Sequence, residues 1–273
     1  MNKPSIAICL TGQMRNFKEK EQIFYKQMET LFGDIDYDLY GHTWSDQELP
    51  NHGNKFTKIS VTNQNDIWQR IAECDPFAAM LVTKEIKQSP EFQSAINGTG
   101  DMYSLMKLVI TGLYAQIVST WECLNAIRFH DKQYDSYIKL RWDIGVQHMD
   151  RPGLWPKIDL WKQDLFRAIK KHKGIAQPIA LLQHNKEHRW IPDLMFNFNQ
   201  SAYEKLISKN IFMCINDMGE QHRLNNHSHD LWEDYLTFNE IKFESMTTES
   251  VIGFNHSGPD NSGTPKTNKK WGI

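Results

Sequence analysis

The chain has 273 residues, 40% hydrophobic and 23% charged, so it can bury a substantial core and disorder is excluded for most of its length. At roughly 150 residues per domain this allows two domains at most, or one large α/β domain with insertions. Lys and Arg (31) against Asp and Glu (33) leave a net charge of −2, which argues against a general nucleic-acid binder with its concentrated basic face. Cys9, Cys74, Cys123 and Cys214 lie far apart with no C-x-x-C pair, so neither a zinc knuckle nor a small disulfide framework is written here.

Ile6-Ala7-Ile8-Cys9-Leu10 is a continuous apolar run of strand length that ends in Thr11-Gly12. It reads as a buried strand of a parallel sheet feeding a tight turn. The run is too short and too lightly charged for a signal peptide, and the expected setting is the reduced cytoplasm. Asn16 with Glu19 three residues later forms a capping pattern, and Phe17, Ile23, Phe24, Met28, Leu31 and Phe32 then recur at helical spacing up to Gly33. Tyr37 to Trp44 reads as a second strand and Lys58 to Thr62 as a short third one. Strands alternating with helices imply an α/β fold with a mainly parallel central sheet flanked by helices, the first strand lying inside it.

Residues 45–60 and 87–101 carry clustered Pro, Gly, Asn and Ser and read as loops. A long helix is expected over about 101–130, with Met102, Met106, Val109, Leu113, Ile117, Trp121 and Leu124 on a core-packing face. Its broken apolar run, interrupted by Lys107, Thr111, Gly112 and Gln116, does not make a membrane span. Tyr137 to Asp143 reads as a strand with charged last residues, and another strand is expected near Pro178 to Gln183. A helix is expected to open at the capping box Ser201-Ala202-Tyr203-Glu204, and another after Ser228. The tail from Gly258 is rich in Gly, Pro, Asn and Lys and reads as flexible.

Four constellations bear on chemistry. Thr11-Gly12-Gln13-Met14-Arg15 stands between a strand and a helix, where open α/β sheets bind phosphates, although it matches neither G-x-G-x-x-G nor a Walker motif. An ordinary turn with a solvated Arg15 is the competing reading. In Lys139-Leu140-Arg141-Trp142-Asp143, an Asp at a strand end suits a divalent cation beside a diphosphate, and the Arg adds an anion contact; a structural Arg–Asp salt bridge competes. Asp193, in Trp190-Ile191-Pro192-Asp193, can act as a base or accept a hydrogen bond from a sugar hydroxyl, against a simple turn. The stretch His222 to Asp230 invites a metal reading, but H-x-H-x-D-H would need Asp at 231 and His at 232, where Leu231 and Trp232 stand. A polar helix start with Asp230 at the dipole competes. Asp34-Ile35-Asp36-Tyr37-Asp38 contains literal D-x-D patterns, yet these precede the second strand and are expected at the sheet edge opposite the site.

The blocks I-A-I-C-L-T-G-Q-M-R-N-F, D-L-Y-G-H-T-W, Y-D-S-Y-I-K-L-R-W-D and I-P-D-L-M-F-N-F-N-Q-S-A-Y, in that order over residues 6 to about 203, resemble a bacterial and viral group of GT-A-like glycosyltransferases. In that group a [ST]-G-x-x-R turn follows the first strand and R-x-D stands where relatives carry D-x-D. The resemblance implies one GT-A-like, Rossmann-like domain over residues 1–257, with 258–273 as the tail. It implies transfer of a sugar from a nucleotide-diphosphate donor to the hydroxyl of a glycan, lipid or protein acceptor, with neither nucleic acid nor a membrane span involved. Thr11, Gly12, Arg15, Thr43, Trp44, Arg141 and Asp143 would line the nucleotide and donor site, and Asp193, with Asp230 as its competitor, would be the catalytic carboxylate near the acceptor. A divalent cation, Mn²⁺ or Mg²⁺, would sit at Asp143; with Arg141 in place of the first Asp, the guanidinium is the alternative stabiliser of the leaving diphosphate. Two other readings stand beside this one: another nucleotide-dependent transferase or hydrolase, and a non-catalytic carbohydrate- or protein-binding module on the same fold.

Overall fold

The computed structural model describes residues 3–14, 17–33, 35–63, 66–67, 69–70, 73, 102–142, 163, 166–182, 195–222 and 230–245. Its strands are β1 (Ser5–Thr11), β2 (Asp36–Trp44), β3 (Lys58–Thr62), β4 (Ser136–Arg141), β5 (Ile179–Leu182), β6 (Met195–Phe198) and β7 (Lys242–Ser245). The helices are α1 (Phe17–Phe32), α2 (Met102–Ile127), α3 (Gln200–Ser208), α4 (Ile211–His222) and α5 (Asp230–Phe238). One seven-stranded sheet runs in the order β3-β2-β1-β4-β6-β5-β7. All pairings are parallel except the two made by β6, which runs against both β4 and β5.

The apolar run at Ile6–Leu10 forms the interior strand β1, between β2 and β4, as its sequence leads one to expect. Alternation of side chains sends Ile6, Ile8 and Leu10 to one face, where Phe17, Phe24, Met28 and Phe32 of α1 close over them. Ala7 and Cys9 face the other side, under Tyr114, Ile117, Val118, Cys123 and Leu124 of α2. Both faces are therefore covered, which is why β1 is apolar throughout and not alternating. Each of its fully buried Ile and Leu side chains is worth about 1.5–3 kcal/mol of removed apolar surface. α2 is buried on most sides from Tyr114 onward; Ile117 and Leu124 are core, Trp121 is half-buried, and the side chains of Met102, Met106, Val109 and Leu113 are outside the described set.

Four elements depart from the sequence reading. The N-cap of α3 is Asn199, two residues before the expected Ser201: its Oδ1 accepts from the N–H groups of Ala202 (2.9 Å) and Ile179 (3.1 Å). Its Nδ2 donates to the carbonyls of Ile175 and Gln177, so this one amide ties β5, the chain before it and α3 together. β6 is four residues, Met-Phe-Asn-Phe, buried on both faces and so without the alternation that marks a strand. β7 and α4 likewise had no sequence signal of their own. Among the described residues no helix is long and apolar enough to cross a membrane. Residues 258–273 lie outside the described set.

Candidate functional site

From β1 the chain moves outward through β2 to β3, then returns across the sheet to place β4 on the other side of β1. The first crossover carries α1 over one face and the second carries α2 over the opposite face. The β1–β4 gap is thus a topological switch point, and the crevice beyond the carboxyl ends of those two strands is where open α/β sheets bind ligands. Thr11 and Arg141 are register partners there, the last pair of the β1–β4 ladder. In a parallel pair such partners share a face, which is the α2 face that Cys9 and Tyr137 also use.

Gly12 leaves the sheet at φ +94°, a backbone conformation that L side chains rarely adopt, and among the described residues a Cβ there would meet nothing within 4 Å. Glycine is required at this point for conformation, not for space. Its N–H donates to Ser119 Oγ of α2 at 2.8 Å. Ser119 Oγ is 2.7 Å from His42 Nδ1, and His42 Nε2 is 2.8 Å from Thr62 Oγ1 at the end of β3. Burial drives the His42 pKa down to about 3, so the imidazole is neutral at physiological pH.

Trp142 closes the other face. It is fully buried, stands edge-on to Phe17 at 4.8 Å, and donates from Nε1 to the His42 carbonyl at 2.9 Å. A Cβ on Gly41 would lie 2.8 Å from the Trp142 ring, so the indole rests on bare backbone of β2. Thr43 and Trp44 are both buried but point to opposite sheet faces by alternation; Trp44 belongs to the α2-side core, while Thr43 Oγ1 has no hydrogen-bond partner among the described residues. Lys139, two residues before Arg141 on the same face of β4, is also fully buried, with Nζ 5.1 Å from the centroid of Phe196 and 5.5 Å from that of Trp232.

The structure thus brings Thr11, Gly12, Trp44 and Arg141 to one edge, with Thr43 beside them on the other face. Arg15, Asp143 and Asp193 lie outside the described residues, as does the side chain of Asp230, whose backbone opens α5. β6 runs antiparallel and begins with Met195 opposite Leu140, so the chain enters it at the edge where β4 ends. His42, Ser119 and Thr62 escaped the sequence reading. A His in step with Tyr40 and Trp44 was the available signal, because a buried imidazole must find partners. Its partner Ser119 is 77 residues away and invisible locally.

Of the literal D-x-D residues, Asp36 and Asp38 stand at the opposite edge, but within β2 and bound to Lys132, not in a solvated loop before the strand. Asp36 pairs with Ser5, the first residue of β1, and its carboxylate meets Lys132 Nζ at 3.2 Å. Asp38 accepts from Lys132 Nζ at 2.7 Å and from the Tyr134 hydroxyl at 2.6 Å; burial works to raise its pKa, but these two donors hold it below its ordinary value. Asp34 lies outside the described residues.

Among the described residues, no cluster of three or more His, Cys, Asp or Glu side chains could hold a metal ion. At the β1–β4 edge the described groups are a hydroxyl, a neutral imidazole already engaged on both nitrogens, and a guanidinium. Of these, the guanidinium is an anion contact, and Asp143, the carboxylate expected beside it, lies outside the described residues. No protein-family model and no curated protein sequence matches this chain.

Proposed function

We propose that the chain is a glycosyltransferase of GT-A-like architecture that takes its sugar from a nucleoside-diphosphate donor and passes it to an acceptor hydroxyl. One observation carries the reading: the register pairs Thr11 with Arg141 at the switch point, directly beneath the left-handed Gly12 turn. A guanidinium at the open end of a parallel sheet suits a diphosphate because its planar donors match two phosphate oxygens at once and keep their charge at every working pH.

In the proposed reaction the bond between the anomeric carbon and the diphosphate oxygen breaks, the nucleoside diphosphate leaves with the electron pair, and the acceptor oxygen bonds to the anomeric carbon as it loses its proton. Arg141 offsets the charge that grows on the leaving group, an effect worth most where water is excluded. Asp193 precedes β6 by two residues, and β6 enters at this same edge, which favours it over Asp230 as the carboxylate that orients or deprotonates the acceptor. Asp143 follows Trp142 in the chain and would complete the diphosphate site.

A thermal-shift screen of the purified protein against UDP, GDP, CDP and their sugars, with and without Mn²⁺, tests the reading. A true donor nucleotide at a hundredfold excess over its dissociation constant adds about 2.7 kcal/mol to stability. Slow release of free sugar from the stabilising nucleotide sugar is expected, and Asp143→Ala should lower it by on the order of 10²-fold while the protein still folds. Binding of glycans with no nucleotide affinity would replace the transferase reading with that of a carbohydrate-binding module.

A further inference from the structure

Gly12 has no side chain, and among the described residues nothing lies within 4 Å of where one would start. Its fixed point is the N–H bond to Ser119 Oγ, 107 residues along the chain. A serine hydroxyl that accepts from Gly12 keeps its own proton for one further bond. Giving that proton to His42 Nδ1 leaves Nε2–H to donate to Thr62 Oγ1, so the hydrogen-bond pattern assigns the Nε2–H tautomer and uses each donor once. Ser119 and His42 are fully buried, and His42 is further pinned by its carbonyl, which accepts from the Trp142 indole.

We infer that His42 and Ser119 are positioning residues that set the direction in which the chain leaves β1, and thereby the geometry of the diphosphate site that Gly12 and Arg141 frame. The inference rests on the donor-site reading above. A buried hydrogen-bond chain suits this task because a half-satisfied one costs more than none, so it holds a single arrangement. The turn is held from the α2 side through Ser119, whose hydroxyl the His42 imidazole orients.

Four variants separate positioning from plain support of the fold. Ser119→Ala cuts the link to Gly12. His42→Gln carries its amide toward the Nε2 position and keeps the Thr62 arm, whereas His42→Asn carries it toward the Nδ1 position and keeps the Ser119 arm. Thr62→Val removes a buried bond of the same chain at the end remote from Gly12. Amide exchange over the segment containing Gly12 and affinity for UDP, GDP and CDP are both measured.

Ser119→Ala and His42→Gln are expected to speed exchange and to weaken nucleotide binding by roughly tenfold, the scale of one lost hydrogen bond. His42→Asn should lose several-fold less than His42→Gln, and Thr62→Val should leave nucleotide affinity at the parent value. Equal losses in all four variants, or parent-like exchange and affinity in Ser119→Ala, would overturn the inference. If the parent protein binds none of the three nucleotides, the donor-site reading fails separately, and the exchange pattern decides: faster Gly12 exchange in Ser119→Ala than in Thr62→Val sustains the positioning role, and no difference ends it.

Discussion

At the amino-terminal edge of the sheet, Asp36, Asp38 and Asp135 face Lys132 and Lys173 in contacts of 2.7–3.2 Å, and Asp135 also accepts from the Ser5 N–H. At the carboxyl-terminal edge, Thr11, Gly12 and Arg141 meet beside a buried His–Ser chain, and the last residues of β1, β2, β3 and β4 bring no carboxylate. The edge that looks like a metal site in sequence has already spent its carboxylates on lysines and a tyrosine. The edge with a weaker motif has a switch point, a left-handed turn and a guanidinium. Chain direction separates the two, because only the carboxyl ends of parallel strands open onto a crevice between crossovers of opposite side.

The largest blow to the carboxyl edge should come from Trp142→Ala. The indole is fully buried against Phe17 and the bare backbone of Gly41, so its removal is expected to cost about 3–5 kcal/mol in denaturant unfolding and to abolish nucleotide binding. Parent stability in that variant would mean that β2 and β4 are not fastened through this ring.

Acid sharpens the comparison next. Burial lowers the His42 pKa to about 3, and burial together with Lys171 lowers that of His172 to about 4. Between those values and 6.5 the unfolded chain binds protons that the folded chain refuses, so stability must fall as pH is lowered through that window. Each imidazole contributes a slope of up to about 1.4 kcal/mol per pH unit. Unfolding free energies measured from pH 7 to 4 should show this slope, and His42→Asn should remove its share; an unchanged slope would place His42 in contact with water.

Gly12→Ala should cost about 1–3 kcal/mol through backbone strain, since the added methyl meets none of the described residues. Nucleotide affinity should fall with it, a check that calorimetry can make. The smallest effect belongs to the amino edge. Replacing Asp34 and Asp36 together by Asn should leave donor binding at the parent value, and losing the exposed Asp36–Lys132 pair should cost at most about 1 kcal/mol. Loss of metal-dependent donor binding in that double variant would transfer the site to the wrong edge.

What was legible in the sequence follows from how local its cause is. β1 and α1 read directly, because an unbroken apolar run and a helical period each need only their own neighbourhood. The edge at which Asp36 and Asp38 stand also read correctly, since it depends only on their place at the start of β2 and not at its end, although they lie inside the strand. β6 did not: Asn197 sits in a four-residue strand buried on both faces, and its partner across the ladder, Ile138, is far away in the chain. The α3 cap was misread for a similar reason, because Asn199 is chosen by its bonds to β5 and Ser201 only by a pattern. At the site, Thr11, Gly12 and Arg141 could be named from strand ends, whereas Ser119 stood inside a helix whose stripe spoke only of packing. Polar partners that meet across 77 and 107 residues leave no trace in a local window.

Titration of nucleoside diphosphates into the parent protein, Arg141→Gln and Asp36→Asn, under one buffer and with Mn²⁺ both present and absent, tests the central claim most directly. The expected result is that the parent and Asp36→Asn bind the same nucleotide with the same affinity, while Arg141→Gln, folded as judged by its unfolding transition, binds it at least tenfold more weakly. Arg141→Gln binding like the parent, or Asp36→Asn losing the nucleotide, would contradict the assignment of the site to the carboxyl-terminal edge.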